Sequence, residues 1–182
     1  MIQSGKFDSS NMDIKKLANS VLIFTIKRLI EVIGIFIFCL GVLLFLALVS
    51  YSPTDPNFIF PKNAVINNLL GFQGSYISDF FFQSLGLISF LIPLTYFLSG
   101  IRVVKEKKIF FLIENTFYII IYSTLGALFF SYFYQDAFYL YINGNGGFVG
   151  VYLSQIFIKS STIPYENIFY YIFILFIIVF FY

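Results

Sequence analysis

An uncharged apolar run of eighteen residues, Val32 to Val49, constrains this chain more than any other feature. That is the length at which a stretch becomes able to cross a bilayer, and inside hydrocarbon the backbone must satisfy its own N–H and C=O groups. A helix is therefore dictated, placed at about residues 29 to 50. The run gives way to "SYSPTDP", residues 50 to 56. Pro53 and Pro56 lack the N–H that a helix needs and push the residues before them out of helical geometry, and Asp55 is expected to stay in water. The span is longer than the apolar core of a cleaved leader, has no small-residue cleavage pattern and is followed by further apolar stretches, so it is read as retained.

Three more spans follow, at about residues 80–101, 114–134 and 166–182. Pro93 removes the hydrogen bond to the Ser89 carbonyl and predicts a kink in the second. The fourth, "NIFYYIFILFIIVFFY", has sixteen residues from Asn167 and reaches only about 24 Å, against a hydrocarbon core of roughly 30 Å. Either it borrows residues from Ser161 onward or the natural chain continues past Tyr182, and continuation is the expectation. The composition agrees with a membrane domain: 59% hydrophobic and 11% charged, with a mean hydropathy of +0.89. The predicted class is an all-α integral membrane protein of two tandem helical hairpins, residues 29–182, behind a tail of residues 1–28.

Direction follows from the cations. Lys6, Lys15, Lys16, Lys27 and Arg28 precede the first span, and Arg102, Lys105, Lys107 and Lys108 follow the second; the other two loops hold only Lys62 and Lys159. Cytoplasmic loops are enriched in Lys and Arg, so both termini are expected in the cytoplasm and the long loops outside. In the tail, residues 1 to 12 read as disordered. Ile14, Leu17, Ala18, Val21 and Leu22 recur at helical spacing, as an amphipathic helix on the anionic inner leaflet or as an extension of the first span packed on its neighbours.

Ionisable groups within spans are functional suspects, but each here fits a boundary. Glu31 is expected to pair with Lys27, Asp79 to mark the outer start of the second span, and Glu114 to sit at the inner interface beside Lys107 and Lys108. No charge falls near the midplane, which argues against an ion or proton path. Cys39 reads as a small packing residue. Histidine is absent, and no P-loop, C-x-x-C, nucleophile elbow or G-x-G-x-x-G occurs. No catalytic residue, cofactor, metal, ATP or nucleic acid is therefore expected, and the lipid bilayer is the obligatory partner. Ser123, Ala127 and Ser131 offer a small-residue face to another helix, in this chain or in a second copy, and Gly34 and Gly41 a weaker one.

The chain also resembles itself. "GFQGSYISDFF", residues 71–81, and "GFVGVYLSQIF", residues 147–157, agree at six of eleven positions, including Gly71 with Gly147 and Gly74 with Gly150. Two tandem hairpins would place both copies outside, where each could start an interfacial helix. Two unrelated turns is the alternative.

These stretches together resemble the four-span N-terminal region of the FtsK/SpoIIIE DNA translocase family. The shared pattern is Ser-(Phe/Tyr)-x-Pro-x-Asp-Pro, here Ser50, Tyr51, Pro53, Asp55 and Pro56, then Asn68, Gly71, Gly74, Ser75, Ser78 and Asp79, and the proline Pro93. The outer-loop tryptophans of that family are missing, and so is any motor. The resemblance implies a bacterial inner-membrane anchor at the division septum, in contact with other division proteins and self-associating, with a C-terminal linker and an ATP-driven DNA motor beyond the present residues. A SpoIIIE-type anchor for DNA transfer across a septum is an alternative, and a small transporter or permease subunit another. For Asp55, two readings stand: a turn that ends the first span, or part of an outer surface that meets division proteins.

The orientation predicts single-cysteine labelling. With Cys39 replaced, an impermeant thiol reagent applied to intact cells should modify cysteines at Ser52 and Ser161 and spare one at Ser20; modification at Ser20 would reverse the topology.

Overall fold

The computed structural model of the protein describes residues 4–56, 65–134, 143–157 and 166–181. All of its secondary-structure elements among these residues are helical, in the order α1 (Ser4–Val49), α2 (Gly71–Leu85), a 3₁₀ segment (Gly86–Phe90), α3 (Leu91–Glu106), α4 (Phe110–Phe133), α5 (Gly147–Phe157) and α6 (Glu166–Phe181). Stretches within Ile14–Val49, Gly71–Glu106 and Phe110–Phe133 are long and apolar enough to cross a membrane, and Tyr170–Val179 is a shorter apolar stretch.

The first helix is longer than expected. It runs unbroken for 46 residues, about 69 Å and more than twice the hydrocarbon thickness. Residues 4–12, expected to be disordered, are helical, because nothing between Lys6 and Ile33 is Gly or Pro. The tail is a continuation of the span, yet not a packed one, since every residue from Ile14 to Leu29 is exposed. An ion-pair cluster marks where α1 meets its neighbours. Glu31 takes Arg28 at 2.5 Å and Lys107, just past the end of α3, at 2.8 Å. The expected Lys27 partner is not the one used, because the end of α3 brings a cation to the other side of the carboxylate. From Glu31 to Ser50 the helix rises about 29 Å, one hydrocarbon thickness.

The second span is not the single helix expected over residues 80–101. α2 closes at Leu85, and Gly86 takes φ 73° and ψ −146°, a conformation open to glycine, before the 3₁₀ segment leads into α3. The break thus falls at Gly86. Pro93 is the third residue of α3, in the first turn, where a missing N–H costs little, so no kink is needed there.

Helix packing rests on small residues. A Cβ on Gly100 of α3 would lie 2.6 Å from the Phe38 backbone nitrogen and 2.7 Å from the Gly34 carbonyl oxygen, and one on Gly41 would lie 2.8 Å from the Phe97 nitrogen. The backbones of α1 and α3 touch directly along Gly34, Gly41 and Gly100. The small face of α4 meets the same chain: a Cβ on Gly146 or Gly150 would strike the Ala127 carbonyl and crowd Ser131. Between α3 and α4 a buried polar seam joins Thr95 and Tyr122 hydroxyls at 2.9 Å, and Asn115 Nδ2 donates to Ser99 Oγ at 2.6 Å. With every one of these groups paired, the seam ties the two helices together in place of apolar side chains. Cys39, expected to pack, is exposed on α1.

Gly100→Val should force α1 and α3 apart at a backbone contact and cost about 1–3 kcal/mol or more, read as a lower thermal unfolding midpoint in detergent. Cys39→Val, in the same layer but exposed, should leave the midpoint unchanged; equal midpoints for the two would show that the glycine seam does not hold the pair.

Candidate functional site

The C-terminal end of α1 leaves carbonyls that no further helical turn can satisfy. Ser50 takes one: its N–H and its hydroxyl both donate to the Leu46 carbonyl, at 3.1 and 2.7 Å. Asn68 takes others from across the loop, its Nδ2 donating to the carbonyls of Ala47 at 2.9 Å and Ser50 at 3.3 Å while its Oδ1 accepts the Leu70 N–H at 3.1 Å. A side chain twenty residues away in sequence thus caps the helix.

Asp55 fixes Asn68 in place. Its carboxylate is only 2% exposed, contrary to the expectation that it stays in water. Oδ1 accepts the backbone N–H and the side-chain amide of Asn67 at 2.9 and 3.0 Å, and Oδ2 accepts the Asn68 N–H at 2.8 Å. Three donors take the place of the hydration shell around the buried carboxylate. The Pro residues that end α1 also shape this turn: the Asp55 N–H reaches the Ser52 carbonyl at 3.1 Å, and the Pro56 carbonyl accepts the Ser75 hydroxyl of α2 at 2.9 Å. Tyr51 donates to Asp79 Oδ1 at 3.1 Å. Asp79, expected at the outer start of the second span, is the ninth residue of α2. A side chain on Gly74 would occupy the position of Asn68 Oδ1.

The second hairpin repeats the device. Gly71 and Gly147 open α2 and α5 with φ of 65° and 61°, each donating its N–H three residues back, to Asn68 at 2.9 Å and to Gly144 at 3.2 Å. The Asn145 side chain donates to the Tyr134 carbonyl at the end of α4, as Asn68 does at the end of α1. Even the outward aromatic pairs correspond, Phe72 with Tyr76 and Phe148 with Tyr152, each with ring centroids 6.1 Å apart. Both segments are helices with a common start, so the repeat reading stands against that of unrelated turns. The copies also interlock. A Cβ on Gly147 would lie 2.6 Å from the Leu85 nitrogen and 2.7 Å from that of Gly86, and the Leu87 N–H donates to the Asn145 carbonyl at 2.9 Å.

Of the residues singled out from sequence, Pro53, Asp55, Pro56, Gly71, Gly74 and Asp79 gather at the α1–α2 clamp, and Gly147 and Gly150 at the α2–α4–α5 crossing. Pro93 stands apart, in α3. Asn67, Gly86 and Asn145 were missed, although an asparagine shortly before each Gly-opened helix was a visible signal. Among the described residues no group of His, Cys, Asp and Glu is placed to hold a metal.

Fold and site together define a polytopic helical membrane domain in which the C-terminal ends of α1 and α4 are closed by asparagine caps and glycine-opened helices. The chain belongs to the FtsK/SpoIIIE family: the family described as the 4TM region of DNA translocase FtsK/SpoIIIE matches residues 26–182. Curated relatives include proteins named DNA translocase FtsK from Rickettsia bellii, 45% identical over 60 residues (33% of this chain, 8% of that protein), and Rickettsia prowazekii, 34% identical over 82 (43% and 11%). Another, from Azospirillum brasilense, is 32% identical over 88 residues, 47% of this chain and 14% of that protein. The chain thus matches only a small part of the length of these relatives. No solved structure matches it.

The clamp predicts that Asp55→Asn is not silent. An amide would turn one of its faces, as a donor, toward an N–H donor, at a cost of about 1–3 kcal/mol, measurable as a drop in unfolding midpoint in detergent. Asp55→Asn with an unchanged midpoint would reduce Asp55 to a turn residue.

Proposed function

We propose that this membrane domain tethers an ATP-driven DNA-translocating motor at the division septum of a bacterial inner membrane, and that its outer face meets other division proteins. The observation that carries the reading is the match of residues 26–182 to the family described as the 4TM region of DNA translocase FtsK/SpoIIIE, together with relatives named DNA translocase FtsK that are far longer than the stretch they share with this chain. The architecture suits an anchor. Direct backbone contact between α1 and α3, the α3–α4 polar seam and the interlocked outer helices make a frame with few degrees of freedom, and alternation of α1, α3, α4 and α6 across the bilayer brings the end of α6 to the side from which α1 starts.

The burial of Asp55 bears on how partners would be met. Its carboxylate is consumed within the chain, so it organises the outer face rather than presenting itself. The residues left prominent beside it are Val65, 84% exposed, and Leu69, 71% exposed, apolar groups outside the helical spans and available to another protein.

A fluorescent fusion of residues 1–182 should concentrate at the septum of dividing cells, and the double substitution Val65→Asp and Leu69→Asp should spread it around the membrane at unchanged abundance. A wild-type fusion distributed evenly over the membrane would remove the septal reading.

A further inference from the structure

α6 packs on α4 through rings: Phe173 lies on Phe129 with centroids 4.5 Å apart, and Tyr170 lies 5.3 Å from Phe129 and 5.4 Å from Phe133. Among the described residues it makes no comparable contact with α3 or the 3₁₀ segment. Between them is a cleft of about 480 Å³, lined by Leu87, Phe90 and Leu91 from one side, Ile174 and Ile177 from α6, and Phe130 from α4. Helix interiors are packed without voids of this size, and an apolar lining gives water no partners, so water does not fill the space in a bilayer.

One end of the cleft is polar. Tyr134, at the end of α4, and Tyr170, in the first turns of α6, both line it, and their hydroxyls lie 3.0 Å apart. The bond between them uses one O–H group as donor; the second keeps its hydrogen for a further acceptor. These tyrosines stand at the membrane face opposite the N-terminus, where α4 leaves the bilayer and α6 enters. The order of the cleft, hydroxyls at the interface and apolar walls running inward, is the order of a lipid, whose ester and headgroup oxygens accept hydrogen bonds above an apolar chain.

We propose that this cleft is a binding site for one acyl chain of a phospholipid of that leaflet, with the lipid's polar oxygens at the Tyr134–Tyr170 hydroxyl pair. The site is continuous with the surface the protein turns to the membrane, since Ile174 and Ile178 reach both the cleft and the exposed face of α6. A helix from a second copy is the competing occupant, and the polar end of the cleft opposes it: a membrane helix has its carbonyls paired internally, whereas a lipid's ester and headgroup oxygens are free to accept the hydrogen that the Tyr134–Tyr170 bond leaves over. The lipid then acts as packing material that seats α6 against α3.

The test uses the 182-residue protein in vesicles of phosphatidylethanolamine and phosphatidylglycerol, with a fraction of the phosphatidylethanolamine carrying a diazirine in mid-chain. After photolysis, adducts should be at least fivefold more frequent at the cleft residues Leu91, Phe130 and Ile174 than at Leu175 and Val179 on the exposed face of α6. Extracted into mild detergent, the wild-type protein should retain one phospholipid per chain by native mass spectrometry. Ile174→Trp, which fills the cleft, should lower that retention at least fivefold with helix content unchanged, and Tyr170→Phe should lower it less. Even labelling across α6, equal retention by wild type and Ile174→Trp, or capture of a second copy by a photoreactive residue at Ile174 would each overturn the site.

Discussion

The carboxylate of Asp55, held by three N–H groups of Asn67 and Asn68, is the interaction on which the half of the domain opposite the N-terminus depends. A helix leaving a bilayer exposes carbonyls at the boundary where water first becomes available, and a loop that wandered there would leave them poorly satisfied. Asp55 removes that freedom. By fixing the backbone of Asn67 and Asn68 it aims the Asn68 amide at the Ala47 and Ser50 carbonyls, and the same segment then starts α2 at Gly71. Helix end, loop and next helix become one unit joined by side chains rather than by chain length.

The second hairpin arrives at the same solution with fewer bonds, and its own position depends on the first. Gly147 fits only because it abuts the Leu85–Gly86 backbone, and the 3₁₀ segment takes its first outside partner from the Asn145 carbonyl. Break and crossing are therefore one feature: the turn at Gly86 makes room for α5, and α5 in turn lies on Ala127 and Ser131 of α4. Disturbing either hairpin at this point displaces both.

For a tether, such a frame is useful because force or diffusion of whatever lies outside the bilayer is resisted by direct backbone contact at Gly34, Gly41 and Gly100 rather than by long side chains that can rearrange. The unbroken α1 extends that rigidity past the Glu31–Arg28–Lys107 cluster for about 36 Å on the N-terminal side. α6 is the exception, held among the described residues chiefly to α4, by stacked rings, and separated from α3 by an apolar cleft.

The sequence by itself determined the class and the family, because an eighteen-residue apolar run, proline stops and glycine pairs act through local backbone chemistry that needs no partner to be read. It also disclosed the repeat, since the glycines at 71 and 147 are required by a local left-handed conformation. Tertiary structure decided the rest. Whether Asp55 faces water depends on donors twelve and thirteen residues away, which only the folded loop brings within reach. That Glu31 chooses Lys107, that the second span breaks at Gly86 instead of Pro93, and that Gly100 completes the glycine seam are all settled by where a second helix lies, and helical periodicity carries no record of that.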